Sequence, residues 1–540
     1  MGEARLRFPQ KPENGLDSFS VHWKDLMGRV GVLRTKSGAF RTPHMFPVVD
    51  PNSREFGRGF YEELGIDAIM TNAYLLRRAR LGVEPVDVHD TLGFKKTVAT
   101  DSGAYQILEY GHVAVEPRDI VAYQEKINTD IGVILDIPTG FKSDPSTARR
   151  TVDETVRRAD EALRVRTRND ILWVGPIQGG IHLDEIDRSA REMSKRDFAI
   201  YALGSPTQVM ESQHFELLVD MIVNAKRHLP AGKPFHLFGA GHPSLFSFLV
   251  ALGCDLFDSA AYALYARTGR YITAEGTVLL EDMEEFPCPC EACRRGTPPE
   301  VRRLRPPERE RLLSQHNLHA CFSELRKIRE EIRKGRLWDL LDLRAQAHPA
   351  LRKCLNRIAH YSDVIERYTP IAKPRGIFYF GSSSDQRPEL VRYRTRIRTS
   401  RPARSKYVLL LPGRWRRPYR EDPRYRQVVD RAKDMEQLAV CFYTVPFGPV
   451  PLELDETYPV AQTESLDSMN IDIYRSRASL VRDFVRKLSP RGIFMVREGR
   501  YGGLVSREIS KLLPASRIVS VPGKRLKPDR LLKLIDTKMA

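Results

Sequence analysis

One pattern recurs eight times between residues 44 and 260 of this 540-residue chain. Each repeat begins with a short apolar run rich in β-forming residues, and a polar or glycine-containing turn and a helical stretch follow. The apolar runs lie at 44–49, 68–72, 98–102, 132–138, 173–180, 198–205, 235–240 and 255–260. Helices are predicted between them, at 117–128, 147–168 and 214–228 among others. Eight β/α units in succession predict the α/β class and a (β/α)₈ barrel rather than an open doubly wound sheet.

Polar residues end several of these runs, and in a (β/α)₈ barrel the residues at the carboxyl ends of the strands carry the chemistry. They are Asp101, Asp136, Gln178, Gly204 with Ser205, and Asp258. Taken singly, an aspartate at a strand end is more often a helix cap or a loop acceptor. Asp101 and Asp258 together supply what displacement at a sugar anomeric carbon requires, one carboxylate as nucleophile and the other as acid and then base.

A second group of polar residues is suited to holding a flat heterocyclic base. Asp136 follows an apolar run, and a carboxylate there can accept two N–H bonds from a guanine-like base. Gln178 adds an amide, and Gly179 and Gly180 allow a flat ring to approach the backbone. The segment HLFGAG at 236–241 is more typical of packing and turn formation than of catalysis.

Three cysteines within six residues, Cys288, Cys290 and Cys293, indicate a metal site. A closed tetrahedral zinc site needs a fourth ligand, and both His316 and His319 follow on the chain. An iron–sulfur cluster is disfavoured because no other cysteine partners these three. We predict one structural Zn²⁺, and the small number of cysteines indicates a reducing compartment.

The excess of basic residues predicts a polyanionic partner. The chain has 87 Lys and Arg against 69 Asp and Glu, a net charge of +18. Residues 387–426 hold fourteen basic and three acidic residues, a net +11. Four arginines alternate there, namely Arg392, Arg394, Arg396 and Arg398. The alternation predicts a strand with four guanidinium groups on one face. Interleaved aromatic residues, Trp415 among them, favour nucleic-acid binding over a solvated surface.

The chain is longer than one hydrophobic core usually organises, so several domains are expected. We predict a catalytic barrel at 1–285, a zinc-binding subdomain at 286–330, a helical connector at 331–375 and a basic α/β domain at 376–540. An apolar fraction of 41% and a charged fraction of 29% exclude a disordered or disulfide-scaffold chain. Neither a bilayer-spanning run nor a signal-peptide pattern is recognisable, so we expect no membrane association and a cytoplasmic location.

Seven segments of the chain together resemble one enzyme family. They are DSGAYQ (101–106), LDIPTG (135–140), GPIQGG (175–180), HLFGAGHP (236–243), DLFDSAAYALYAR (255–267), CPCEAC (288–293) and HNL (316–318). In this order and spacing, the region 28–330 resembles the tRNA-guanine transglycosylases, and the archaeal branch most closely. The family exchanges one base of tRNA for another. The resemblance therefore implies tRNA as the partner and calls for no nucleotide cofactor or redox partner.

The resemblance also implies a specific reaction. Archaeal members replace a guanine in the D-loop of tRNA (position 15) by 7-cyano-7-deazaguanine, the first step towards archaeosine. By resemblance, Asp258 attacks C1′ and forms a covalent ribosyl-aspartate, while Asp101 protonates the leaving guanine and deprotonates the incoming base; older descriptions of the family make the first aspartate the nucleophile. The base-contacting positions are Ser102, Asp136, Gln178, Gly204 and Ser205. The implied zinc ligands are Cys288, Cys290, Cys293 and His316.

The C-terminal third departs from the usual archaeal pattern. Archaeal members commonly end in an RNA-binding PUA domain, and 505–540 is too short to hold one, so a separate PUA-type protein is a candidate partner. The region 376–540 is similar to that of archaeosine synthase, but 412–419 lacks the Cys and Lys of the synthase motif. We therefore expect no lysine transfer. The resemblance implies a homodimer, and two alternatives stay open: a non-catalytic tRNA-binding subunit and an archaeosine synthase paralogue.

Overall fold

A computed structural model of the chain describes residues 18–52, 56, 59–79, 84–104, 115–413, 417–466, 469–523 and 527–539. Tyr105, Gln106 and Trp415, which belong to the predicted motifs and the basic stretch, lie outside these residues. The chain divides into two compact units. The first holds the residues up to Arg333 together with Leu340–Ile358, and the second holds Lys334–Asp339 and the residues from Ala359 onwards.

A small antiparallel sheet precedes the barrel. Its strands are β1 (Phe19–Asp25), β2 (Gly28–Thr35) and β3 (Gly38–Thr42). Phe19, Leu33 and Phe40 belong to the same apolar cluster as the barrel residues Phe46 and Met70. This sheet therefore extends the barrel core rather than forming a separate layer.

The first unit contains a barrel of eight parallel strands. They are β4 (His44–Pro47), β5 (Ala68–Asn72), β6 (Thr97–Asp101), β7 (Ile131–Val133), β8 (Leu172–Ile177), β9 (Ile200–Leu203), β10 (Phe235–Leu237) and β11 (Leu256–Ser259). The order is β4-β11-β10-β9-β8-β7-β6-β5, and the Val49 N–H donates to the Met70 carbonyl at 2.8 Å between β4 and β5. Each strand coincides with one of the eight predicted runs, so the predicted (β/α)₈ fold is confirmed.

Helices of the first unit follow the strands. They are α1 (Phe60–Glu63), α2 (Ala73–Ala79), α3 (Val88–Leu92), α4 (Pro117–Lys126), α5 (Pro145–Val165), α6 (Leu183–Met193), α7 (Thr207–Glu211), α8 (Phe215–Lys226), α9 (Pro243–Ala251), α10 (Ala261–Arg267), α11 (Pro298–Arg302) and α12 (Pro306–Lys334). The hairpin β12 (Arg270–Ile272) and β13 (Thr277–Leu279) lies before α11. The helices α13 (Leu337–Arg344) and α14 (Pro349–His360) come after α12.

Local chemistry explains why α5 starts where it does. The Asp144 side chain accepts from the N–H groups of Ser146 and Thr147, and Pro145 occupies the first turn, where it costs no hydrogen bond. The helix then buries Ala148, Val152, Thr155, Ala159 and Ala162, which recur every three or four residues. The start of α5, the helix that follows the strand end carrying Asp136, is thus specified locally by the chain.

The second unit is built on a five-stranded sheet, whose strands are β15 (Tyr407–Pro412), β16 (Leu438–Thr444), β17 (Gly448–Pro451), β19 (Gly492–Arg497) and β20 (Ile518–Pro522). Their order in the sheet is β17-β16-β15-β19-β20. Only β17 runs antiparallel to its neighbour among these pairs, and a separate pair joins β14 (Ile377–Tyr379) to β18 (Thr463–Ser465). The helices are α15 (Ser362–Tyr368), α16 (Pro388–Thr399), α17 (Arg426–Ala432), α18 (Ile471–Leu488), α19 (Gly499–Ile509) and α20 (Pro528–Met539).

The prediction of a strand through the alternating arginines is wrong. Residues 392–398 lie in α16, which opens with Pro388 in its first turn and buries Leu390, Tyr393 and Ile397. These apolar residues are three and four positions apart, a helical spacing that outweighs the twofold alternation of the arginines. The four guanidinium groups consequently do not share one face.

Candidate active site and metal centre

Asp258 lies in β11 and is held at one oxygen. Its Oδ1 accepts from the backbone N–H of Gly239 at 3.1 Å and lies 2.9 Å from Nε2 of His236. Gly239 has φ +72°, a left-handed conformation that brings its N–H to the carboxylate and that other residues adopt at a cost. Oδ2 has no hydrogen-bond partner among the described residues, so it is the oxygen available for reaction.

Asp101 ends β6 and lies near two other carboxylates. Its Oδ2 accepts from Asn72 Nδ2 at 3.1 Å and from the Gly103 N–H at 3.3 Å. Burial, followed by the negative charges of Asp136 and Asp258, raises the pKa of Asp101 to about 7. A carboxyl group with this pKa can both give and take a proton near neutral pH, which is the property of a general acid and base.

A third carboxylate forms part of a fixed polar pair. Gln178 Nε2 donates to Asp136 Oδ2 at 2.5 Å, while Gln178 Oε1 accepts from the Thr139 N–H at 3.1 Å and from Ser205 Oγ at 2.9 Å. A Cβ at Gly204 would lie 2.1 Å from Gln178 Nε2, so any other residue there would push the Gln178 amide out of this position. Burial raises the pKa of Asp136 to about 6, and the Gln178 hydrogen bond opposes the rise.

Ser102 is fully buried beside Asp101, and its Oγ has no hydrogen-bond partner within the part of the chain that the structure describes. A buried hydroxyl without a partner carries a desolvation cost. A bound polar ligand would remove that cost.

The structure brings together at the strand ends all seven residues that the sequence suggested for catalysis and base binding.

Two neighbours of the carboxylates were not singled out from the sequence. His236 was expected to serve packing, yet its ring lies against Asp258, and Asn72 contacts Asp101. Each polar side chain belongs to a barrel strand, His236 at the centre of the three-residue strand β10 and Asn72 at the end of β5. A polar residue within a largely apolar barrel strand is the signal that could have identified them.

Cys288, Cys290, Cys293 and His316 form one cluster, in which one ligand atom from each lies within 4.8 Å of the others. The Sγ atoms of Cys290 and Cys293 are 3.5 Å apart, and a Zn–S bond of about 2.3 Å would place tetrahedral sulfurs about 3.8 Å apart. His316 Nε2 lies 2.9 Å from the Ile272 carbonyl, which assigns the proton to Nε2 and leaves Nδ1 toward the sulfurs. The cluster can therefore hold a metal ion, and His319 is not part of it.

Two known protein-family models match this chain. A family model described as queuine tRNA-ribosyltransferase matches residues 25–350. The chain belongs to the tRNA-guanine transglycosylase family. Membership makes it a pentosyltransferase. Residues 390–525 match a second model, described as a domain of unknown function (DUF5591).

The chain is also similar to curated members of this transglycosylase family, and the similarity continues into the second unit. A tRNA-guanine(15) transglycosylase of Sulfolobus acidocaldarius is 38% identical over 88% of this chain and 94% of its own length. One of Pyrobaculum aerophilum is 41% identical over 83% of this chain and 90% of its own. One of Methanococcus vannielii is 40% identical over 83% of this chain and 69% of its own. The chain is accordingly of the archaeal type.

The arginines predicted to bind RNA fall into two groups. Arg392 pairs with Glu366 and donates to the carbonyls of Pro370 and Thr369, and Arg394 is buried against Asp385. Arg396 and Arg398 are exposed. Two of the four arginines predicted to contact RNA thus form their contacts within the protein.

Among the described residues no helix is both long and apolar enough to cross a bilayer.

Proposed function

We propose that this family member exchanges a guanine at position 15 in the D-loop of tRNA for 7-cyano-7-deazaguanine, through a covalent ribosyl-aspartate. The observation that carries the proposal is the grouping of Asp101, Asp136 and Asp258 at the carboxyl ends of three barrel strands, close enough that the charges of Asp136 and Asp258 act on Asp101, with Gln178 fixed on Asp136. The relatives described above are named for exchange at guanine 15, which supports that position here.

In the first half-reaction Asp258 is the nucleophile. His236 and the Gly239 N–H hold Oδ1, so Oδ2 forms the bond to C1′ of the guanosine. The C1′–N9 bond breaks, and the guanine leaves with its electron pair and takes the proton of Asp101. The target base must first leave the tRNA stack, so unpairing is part of the cost of binding.

In the second half-reaction the roles reverse. The ionised Asp101 removes a proton from the ring nitrogen of the incoming base, and that nitrogen attacks C1′. The bond between C1′ and Asp258 breaks, and the carboxylate is restored. One residue serves as acid and then as base, which suits a pKa of about 7 for Asp101.

Asp136 selects the base by its hydrogen-bonding edge. At neutral pH its carboxylate, with a pKa of about 6, is mostly ionised and accepts the N1–H and exocyclic N–H of a guanine-type edge. 7-Cyano-7-deazaguanine has the same edge, whereas adenine has no N1–H. Since Thr139 and Ser205 occupy Oε1 of Gln178, its amide N–H groups are directed at Asp136 and the ligand.

Exchange of labelled guanine tests the proposal. Purified protein incubated with tRNA transcripts and radiolabelled guanine should incorporate label, and unlabelled 7-cyano-7-deazaguanine should chase it out irreversibly. Labelled adenine should not enter, and a transcript lacking guanine at position 15 serves as the control. Absence of any exchange would favour the non-catalytic tRNA-binding subunit, and lysine incorporation into the modified tRNA would favour the synthase paralogue.

We also propose that the Cys₃His cluster holds one zinc ion with a structural role. Three thiolates and one imidazole satisfy a closed tetrahedral site with no position left for substrate. When bound, zinc would cross-link the loop that carries the cysteines to helix α12. The hydrogen bond from His316 to the Ile272 carbonyl fits this function, because it orients the ring.

Replacing one of the zinc ligands should remove the metal ion, whereas replacing a cysteine outside the cluster should not. Cys290→Ser should lower zinc from one ion per chain to below about 0.2, and lower the melting temperature, because the site forms only in the folded chain and the free energy of metal binding therefore adds to that of folding. Cys354→Ser, at an equally buried cysteine outside the cluster, is the control. Mass spectrometry of metal content and thermal unfolding measure both; retention of full zinc by Cys290→Ser would contradict the assignment.

A further inference from the structure

The second unit contains a cavity of about 570 Å³ that the reaction proposed above does not use. Helix α16, the segment 400–405, strand β16 and the end of helix α18 line it. Most of the lining is apolar, with three aromatic residues, Tyr393, Tyr458 and Phe484. Its size falls within the range of ligand pockets in proteins, and its aromatic walls suit a flat ring.

Two arginines at this cavity are free to bind a ligand. Arg396 and Arg404 line it, both are exposed, and neither makes an ion pair or side-chain hydrogen bond with any described residue. The buried carboxylate of Glu389, by contrast, is already neutralised by Lys373 and Arg387. The cavity therefore combines an apolar interior with two unpaired cations.

The unpaired cations continue beyond the cavity. Arg398 near the end of α16, Arg401 in the segment 400–405 and Lys406 just after it are exposed and form no ion pair among the described residues. A free mononucleotide would engage at most the two arginines at the cavity. Unpaired cations in such number near one pocket instead match a polyanionic chain with one unit inserted.

We infer that this cavity receives one unstacked nucleotide of tRNA, distinct from the guanosine that is exchanged. The base lies among the aromatic residues, Arg396 and Arg404 bind its flanking phosphates, and Arg398, Arg401 and Lys406 follow the neighbouring backbone. The exposed carboxylates of Glu436 and Glu453, which also line the cavity, can accept base N–H groups. The inference rests on the proposed function in one respect, that the polyanion is tRNA.

Two double variants, each lacking two positive charges, distinguish tRNA binding in the cavity from a general effect of positive charge. Arg396→Ala with Arg404→Ala should weaken tRNA binding at least about tenfold more than Arg398→Ala with Arg401→Ala, although each pair removes two charges. The first pair should also reduce the slope of log Kd against log salt by about 1.4, two single-strand phosphate contacts. Filter binding of full-length protein measures both. Equal losses would overturn the inference in favour of a diffuse patch.

Blocking the cavity without changing charge tests the inserted base. Ala403→Trp, at an exposed lining position, should weaken tRNA binding at least about fivefold, while Thr399→Trp, exposed on α16 but outside the lining, should change it less than twofold. Thermal unfolding checks that both variants fold. Equal effects of the two tryptophans would contradict the inserted base.

Crosslinking identifies the source of the nucleotide. tRNA transcribed with 4-thiouridine, or separately with 6-thioguanosine, should crosslink to peptides containing Tyr393 or Tyr458. Crosslinks confined to the barrel, or guanosine monophosphate competing with tRNA at micromolar concentration, would overturn the inference. Because these measurements follow binding, a protein that exchanges no base can still confirm the site, and one that exchanges normally can still refute it.

Discussion

Asp258→Asn is expected to abolish both base exchange and the covalent tRNA adduct. The amide keeps the shape of the side chain and can still contact His236 and the Gly239 N–H, but it has no anionic oxygen to attack C1′. Loss of the nucleophile removes the two-step route, so exchange should fall at least about a thousandfold. Denaturing electrophoresis of protein incubated with end-labelled tRNA detects the adduct directly, and the guanine-exchange assay measures the rate.

The comparison variant for this experiment is Asp101→Asn, because either aspartate has the chemistry of a nucleophile. With Asp258 as nucleophile, Asp101→Asn should still form adduct slowly, since water or the substrate can supply the missing proton. The reverse outcome, adduct with Asp258→Asn and none with Asp101→Asn, would exchange the two roles. Near-identical melting temperatures of wild type and Asp258→Asn would show that lost activity is not lost folding.

The barrel could be predicted from the sequence because its strands are short and almost wholly apolar, as is expected of parallel strands covered on both faces. The strand ends were readable for the same reason: a carboxylate such as Asp101 or Asp136 interrupts an apolar run abruptly. Pairing geometry was not readable. That Gly204 packs on Gln178, or that His236 contacts Asp258, depends on the register between the paired strands β8 and β9, and β10 and β11, which their order along the chain does not give.

The basic stretch shows where such reasoning fails. Arginines at every second position suggested a strand, but Leu390, Tyr393 and Ile397 fix a helix, because burying apolar side chains outweighs the placement of exposed charges. The net charge likewise does not reveal which charged side chains form ion pairs within the protein. Arg392 and Arg394 are bound to Glu366 and Asp385, so counting basic residues overstates the charge that is free to meet RNA.

Asp101→Asn should lower kcat/KM by about two to four orders of magnitude and remove one limb of the pH profile. In the wild type, departure of guanine needs Asp136 ionised and Asp101 protonated. Their pKa values of about 6 and about 7 therefore predict a narrow maximum between these pH values, with activity falling above pH 7 as Asp101 loses its proton. The asparagine variant should retain the rise near pH 6 and lose the fall. A fall above pH 7 that persists in Asp101→Asn would belong to another group.

The pH dependence of the free energy of unfolding tests the role of Asp101 independently, with the same Asp101→Asn variant. The folded state raises the pKa of Asp101 from 3.8 to about 7, so between these values it binds a proton that the unfolded chain has released. The stabilising contribution of this group is complete below pH 3.8 and is lost as the pH rises through 7. Asparagine stays neutral at every pH. Urea unfolding should therefore show Asp101→Asn gaining stability relative to the wild type between pH 5 and pH 8, and a constant difference would mean that Asp101 is already ionised at pH 5.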